Sequence, residues 1–308
     1  MPQYKNHDFL RILPAQHAAY EFVFALVAIR EGVSYYLGTA CLIAPGFLVT
    51  AKHLLEFAYK NVAGLKTDET SPEVKESLKG PNYNLLPEHG VGIDAVQILP
   101  DRSTQRYAVT GYIEIYYKYT DLMVLQIIPH PGYPGPDKIE WKARTLDLVP
   151  PQVGRSVHGY GFPDHPEHPV ITPDPWLQDY FLYQSLGDVE AVNLEPNLRN
   201  YQTSMKTASG MSGGPVFVSR NGKDHFCGIV SRGGFVDWSF VAPLWQIAWA
   251  STDALRGLPD RDGRLLFVDL MHQNIIRSIG SEHLSINGGS KLDLTVSFDD
   301  VSLLRTGY

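Results

Sequence analysis

The 308-residue chain reads as an all-β protein built in two halves with a C-terminal extension. Three observations predict this. Short runs rich in Val, Ile, Tyr, Phe and Leu, punctuated by Gly and Pro, recur from about residue 21 to residue 231. Prolines at 129, 131, 134, 136, 150 and 151 mark an inter-domain connector between two sets of such runs. Asn221-Gly222, between the apolar runs Val216–Ser219 and His225–Ser231, is a strong type I′ hairpin signal.

Taken in order, residues 1–18 form a polar lead-in. Glu21–Ile29, Val33–Ala44 and Phe47–Ala51 read as strands with Gly32 and Pro45-Gly46 at their turns. The polar stretch 58–90 reads as a surface insertion with a short helix near Pro72–Leu78. A hairpin follows, Ala95–Leu99 and Tyr107–Tyr117 around Pro100–Ser103, and Leu122–Ile128 closes an N-terminal domain over residues 1–128. The connector takes 129–152. A second domain, 153–256, carries strands at Ser156–Tyr160, around Phe181–Tyr183, through the 190s, and at the Asn-Gly hairpin. Val241–Leu255 reads as a strand end, a break at Pro243 and a helix. The extension, 257–308, combines helical spacing over Leu265–Arg277 with an alternating hairpin, Leu284–Ile286 and Leu292–Phe298. Its expected role is packing or oligomer contact.

Composition sets outer bounds. At 44% hydrophobic and 19% charged residues the chain can bury a core of ordinary globular kind. A net charge of −7 with no basic run excludes general affinity for nucleic acid or anionic membranes. The longest apolar run, Phe22–Ile29, is too short to span a bilayer, and Glu21 beside it argues against a secretory signal. Cys41 and Cys227 each lie in an apolar run and read as buried free thiols. The expectation is a soluble, cytoplasmic protein.

Gly210-Met211-Ser212-Gly213-Gly214-Pro215 carries the chemistry. Glycines at −2, +1 and +2 let the backbone turn sharply and approach its neighbours, so the loop can expose a hydroxyl and aim N–H groups at one point. An acyl-transfer nucleophile needs both features; the plain alternative is a Gly/Ser turn between strands. A serine nucleophile also needs a base, and the base an acid that fixes its tautomer. His53, where Phe47–Ala51 runs into a helical turn, and Asp121, at the head of Leu122–Leu125, are the candidates.

These segments resemble chymotrypsin-like (trypsin-fold) serine peptidases. Val49-Thr50-Ala51-Lys52-His53 resembles their Val-Thr-Ala-Ala-His, and Gly38-Thr39-Ala40-Cys41-Leu42-Ile43 their Gly-x-x-x-Leu-Ile strand. Thr120-Asp121-Leu122-Met123-Val124-Leu125 is similar to their Asp-Leu-Ala-Leu-Leu strand, the Gly210–Pro215 loop to their Gly-Asp-Ser-Gly-Gly-Pro, and Gly228–Ser231 to their substrate-binding strand. The order His, Asp, Ser is theirs too. Asp121 and Ser212 are 91 apart, against about 93 in that template; His53 and Asp121 are 68 apart against about 45, the excess falling in 58–90. The resemblance covers about residues 20–250.

It implies two packed six-stranded Greek-key barrels with the active site between them. It further implies Ser212 as nucleophile, His53 as general base and then acid, and Asp121 as the orienting carboxylate. The N–H groups of Gly210 and Ser212 would form the oxyanion hole. Ser231 would support Asp121, and Ser231-Arg232-Gly233 would bind extended substrate by strand addition. The substrate is then a protein or peptide, and no metal or organic cofactor is implied.

Met211 stands where zymogen-type members carry an Asp for a freshly cut N-terminus, so the chain is more similar to bacterial high-temperature-requirement and viral members, although no PDZ domain is evident. Tyr201-Gln202-Thr203 and Phe240–Pro243 resemble segments of those bacterial enzymes. Lys206, six residues before Ser212, and Ser239 fall at positions that line the specificity pocket of trypsin-like members. There Lys206 would select acidic P1 residues, unless the loop runs differently and Lys206 faces solvent.

Three rival readings remain. Gly210-x-Ser212-x-Gly214 also fits the α/β-hydrolase elbow, which needs a helix after the serine. Asp164-His165-Pro166-Glu167-His168 reads as a metal site or a solvated loop. A trypsin-fold scaffold could bind protein partners without turnover. The expected function is a serine endopeptidase, in its finer form a regulated intracellular protease with a regulatory protein partner; the sequence leaves the oligomeric state open.

Overall fold

The computed structural model describes residues 10–65, 86–113, 115, 120–130, 141–164, 180–193, 200–220, 222–233, 238–252, 265–287 and 295–298. A short strand β1 (Arg11–Ile12) precedes the first barrel. That barrel consists of β2 (Val23–Arg30), β3 (Val33–Ala44), β4 (Phe47–Ala51), β5 (Val91–Ile98), β6 (Thr104–Ile113) and β7 (Leu122–Pro129), closed in the order β2-β3-β4-β7-β6-β5. After β8 (Leu146–Asp147) come β9 (Ser156–Gly161), β10 (Tyr183–Asn193), β11 (Asn200–Thr203), β12 (Pro215–Arg220), β13 (Lys223–Gly233) and β14 (Ser239–Pro243). These form a second ring, β9-β10-β11-β14-β13-β12, closed by the pairing of β12 with β9.

Both rings follow one rule: the third strand neighbours the sixth, which leads back through the fifth to the fourth. This is the Greek-key arrangement, and two such barrels make the chymotrypsin-like architecture. Local chemistry sets the turns. Glu31 and Gly32 both take positive φ (52° and 76°) between the paired residues Arg30 and Val33, as a two-residue hairpin of the right twist requires. Arg220 pairs with Lys223 across Asn221-Gly222, where Gly222 has φ 72°; Asn221 itself lies outside the described residues.

The principal core runs through both barrels. It joins Leu26, Leu48 and Leu125 to Phe217, Phe226 and Ile229. Each such fully buried side chain contributes about 1.5–3 kcal/mol relative to exposure. A smaller core, including Val157, Tyr201, Val216, Cys227 and Val241, fills the second barrel alone. Cys41 and Cys227 are buried and free.

Several segments differ from the sequence reading. The lead-in is not merely polar: β1 pairs with β10, Arg11 opposite Gln184 and Ile12 opposite Tyr183, so residues 11–12 are stitched to the second barrel. The stretch 58–90 is not a surface insertion at its ends. Helix α1 (Lys52–Phe57) continues as a wider π turn over Ala58–Val62, and Tyr59, Val62, Ala63 and Leu86 are buried because their apolar side chains cap the first barrel. The expected helix near Pro72–Leu78 lies outside the described residues.

The connector also contributes to the core. β8 lies parallel to β13 and to β17 (Ser278–Ile279), with Leu146, Leu148 and Val149 buried. After β14 the chain makes a 3₁₀ helix, Leu244–Trp249, then β15 (Ser251–Thr252), which pairs with β16 (Leu265–Leu266). The helix expected over Leu265–Arg277 is shorter: α2 spans Phe267–His272, and its Phe267 ring meets Phe47 edge-on at 5.8 Å. The extension therefore packs on the first barrel. Its final hairpin is β18 (Leu284–Asn287) with β19 (Thr295–Phe298).

A buried ion pair fixes the connector to the second barrel. Arg220 Nη1 lies 3.2 Å from Asp147 Oδ2, and its Nη2 donates to the Val149 carbonyl at 2.8 Å. Burial raises the Asp147 carboxyl above its ordinary range, and the Arg220 charge opposes that rise. Removing the cation strands a buried carboxylate. Arg220→Met is expected to cost about 3–5 kcal/mol of stability in denaturant unfolding.

Candidate active site

The register of β4 with β7 assembles the first part of the site. Ala51 pairs with Leu122 at the end of that ladder, so the next residue on one strand, Lys52, meets the preceding residue on the other, Asp121. Lys52 N–H donates to the Asp121 carbonyl at 2.6 Å. α1 then lifts His53 over the Asp121 side chain: His53 N–H donates to Oδ1 at 3.1 Å, and Nδ1 stands 2.9 Å from Oδ2. A carboxylate on Nδ1 holds the proton there and leaves the Nε2 lone pair outward. Ser231 Oγ donates to the same Oδ2 at 2.5 Å.

The turn before β7 is held from behind. Thr120 Oγ1 accepts the Leu122 N–H at 3.0 Å and donates to Gln246 Oε1 at 2.6 Å. Gln246 belongs to the 3₁₀ helix that follows the second barrel, and Ser231 to β13 of that barrel, so the second half of the chain helps to fix the carboxylate.

The Gly210–Pro215 loop lies at the junction. Gly210 and Gly213 take φ of 86° and 81°, a region that favours glycine. A Cβ on Gly213 would run into the Thr39 carbonyl and the Thr50 hydroxyl. The loop is tied to β13 by Gly213 N–H to the Val230 carbonyl (2.7 Å) and Val230 N–H to the Gly214 carbonyl (2.8 Å). It is tied to β3 by Thr39 N–H to the Ser212 carbonyl (2.9 Å).

Its peptide planes are anchored by their carbonyls. Ser209 C=O accepts the Asp164 N–H at 2.6 Å, and Met211 C=O accepts the Gly214 N–H at 2.9 Å. In a trans peptide the N–H points opposite to the C=O, so the N–H groups of Gly210 and Ser212 face away from those anchors. Among the described residues neither N–H finds an acceptor, and neither the Ser212 hydroxyl nor His53 Nε2 makes a hydrogen bond. Two free donors beside a half-buried hydroxyl can stabilise the oxyanion that forms on an acyl carbonyl when that hydroxyl adds to it.

The remaining predicted positions divide. Arg232 and Gly233 pair with Phe240 and Ser239 on one edge of β13. The ladder of β12 on the other edge stops at Ile229, so the edge beyond Val230 is unpaired among the described residues. Ser239 is fully buried, its hydroxyl 2.9 Å from that of Thr203. Lys206 is exposed, and its carbonyl accepts the Ser185 hydroxyl. Pro215 opens strand β12 and no helix, which removes the α/β-hydrolase elbow. His165, Glu167 and His168 lie outside the described residues. Asp164 bonds Ser209 Oγ through Oδ2 at 2.5 Å, and burial raises its carboxyl while that bond opposes the rise. Thr39, Tyr36 and Gln246 were not singled out from sequence for a role at this site, and Asp164 only as part of the metal-site or solvated-loop candidate. The one available signal was the run of hydroxyl residues Ser34, Tyr35, Tyr36 and Thr39 within the strand Val33–Ala44, which does not by itself single out Tyr36 and Thr39.

No protein-family profile matches the chain, and no curated protein matches it by sequence. Solved structures similar to it include Deg5, 16% identical over 73% of this chain and 84% of that one, with a TM-score of 0.43. The Anisep protease from Arthrobacter nicotinovorans is 11% identical over 72% and 90%, with a TM-score of 0.45. An inactive form of Rv3671c from M. tuberculosis is 14% identical over 75% and 85%, with a TM-score of 0.40. These likenesses are remote; the two closed Greek-key barrels themselves define the trypsin-like serine peptidase fold.

The fit of Gly213 gives a direct test of the loop. Gly213→Ala combines a strained φ with a clash against β3, and a loss of about 2–4 kcal/mol is expected in thermal denaturation.

Proposed function

We propose that the chain is a serine endopeptidase. The observation that carries this reading is the Asp121 carboxylate, which takes both His53 contacts and the Ser231 hydroxyl at the junction where the Ser212 loop is pinned. On this reading Ser212 Oγ attacks a peptide carbonyl while His53 Nε2 takes its proton. The N–H groups of Gly210 and Ser212 stabilise the oxyanion, and His53 returns the proton to the leaving amine. Water then hydrolyses the acyl-enzyme by the same path. The unpaired edge at Ser231–Gly233 supports substrate binding by strand addition, which tolerates many sequences.

A scaffold that binds protein partners without turnover is the second reading. The absence of a hydrogen bond between the Ser212 hydroxyl and His53 Nε2 favours it, but such bonds are often long without substrate and tighten on binding.

The finer reading is a regulated intracellular protease. Two buried free thiols support a reducing compartment. Met211, fully buried with Leu10, Tyr183 and Ala208, supports an activation that does not use a cut N-terminus. Among the described residues no helix is long and apolar enough to cross a membrane.

Ser212→Ala is expected to lower kcat by about 10⁶, and a fluorophosphonate probe is expected to label the wild type but not this variant. Wild type that resists the probe under all conditions supports the scaffold. Asp121→Asn is expected to lower kcat by on the order of 10⁴ with KM little changed, measured on a peptide ester. Casein cleavage at full rate without any effector removes the regulated version.

A further inference from the structure

The peptide between Gly210 and Met211 joins the two peptides that carry the proposed oxyanion donors. Its neighbour Gly210 has no side chain to resist rotation, so this plane flips easily unless its carbonyl is held. The holders come from the other barrel. Thr39 Oγ1 donates to the Gly210 carbonyl at 2.9 Å and accepts the Phe162 N–H at 3.1 Å. Tyr36 OH reaches the same carbonyl at 3.0 Å and the Phe162 carbonyl at 2.6 Å.

These hydroxyls are not equivalent. Tyr36 has a single proton for two carbonyls, and its oxygen is nearer that of Phe162. Thr39 directs its hydroxyl at the Gly210 carbonyl, with the Tyr36 phenol oxygen as its other hydrogen-bond neighbour, and its acceptor side is filled by the Phe162 N–H. Thr39 also donates its backbone N–H to the Ser212 carbonyl, so this one residue brackets Met211 at both ends. Its own carbonyl is fixed by the Thr50 hydroxyl at 2.7 Å, and its side chain is wholly buried. Burial pushes the Tyr36 phenol well above its ordinary range, so it remains a donor.

We propose that Thr39, seconded by Tyr36, is a positioning residue that sets the oxyanion donors of Gly210 and Ser212. This rests on the peptidase reading. It makes the oxyanion hole of one barrel dependent on two hydroxyls of the other. Such a group acts on the transition state and not on ground-state binding, so its loss lowers kcat and leaves KM alone.

The test uses the full chain carrying Thr39→Val, Thr39→Ser or Tyr36→Phe, with kcat and KM on a peptide ester, affinity for a peptide aldehyde, and thermal unfolding. Thr39→Val is expected to lose about 10- to 100-fold in kcat, below the full loss of an oxyanion donor, with KM within about twofold. Aldehyde affinity, which depends on the same oxyanion, should fall in parallel. Thr39→Ser should restore both, and Tyr36→Phe should lose less. Unchanged kcat and aldehyde affinity in folded Thr39→Val overturn the proposal, as does a loss that Thr39→Ser fails to restore. If Thr39→Val does not fold, Thr39→Ala read against Thr39→Ser decides by the same split. Wild type that reacts with neither aldehyde nor fluorophosphonate removes the peptidase reading itself, whereas reactive wild type with indifferent variants removes only the role of Thr39.

Discussion

The buried contact between β3 and the Gly210–Pro215 loop is the constraint on which the site depends. His53 and Asp121 belong to the first barrel, Ser212 to the second, and nothing within either barrel fixes their separation. The Thr39 N–H, the Thr39 and Tyr36 hydroxyls, and the close fit of Gly213 against β3 set it instead. A return tie comes from Ser231 to Asp121, and a third from Gln246 to Thr120. These polar bonds lie at the edge of one apolar core shared by both barrels. Docking thus buries apolar surface, and the hydrogen bonds choose the register at which it is buried.

Much of this was legible in the residues because it is encoded locally. Strand texture, Pro45-Gly46 and Asn221-Gly222 are signals within a few residues, and they located most of both barrels. His53 and Asp121 were legible for a different reason: a His just past one strand and an Asp just before another become neighbours whenever those strands pair. The Ser212 loop announced itself through three glycines, each of which faces backbone or hydroxyl atoms where a side chain would stand.

What was missed lacks a local period. β1 is two residues long, and its pairing with β10 spans most of the chain. Leu146–Asp147 stands among prolines, and its strand exists because β13 and β17 supply partners. The helices after Pro243 and Leu266 end early because packing against the barrels, not intrinsic propensity, decides their length. Thr39 and Tyr36 act 171 and 174 residues away from their positions in the sequence, at Gly210, and no spacing rule links such hydroxyls to a distant carbonyl.

The seat of Met211 has a consequence for the medium in which the loop keeps its shape. Met211 sits in a small apolar cluster with Leu10, Tyr183 and Ala208, next to Ser212 in the chain. A loop seated by an ion pair loses hold as dissolved electrolyte screens the charges or as one partner titrates. A thioether among apolar neighbours has no charge to screen and no proton to lose. Salting-out ions strengthen such burial, so the seat of this loop should tighten in brine where an ionic one would slacken.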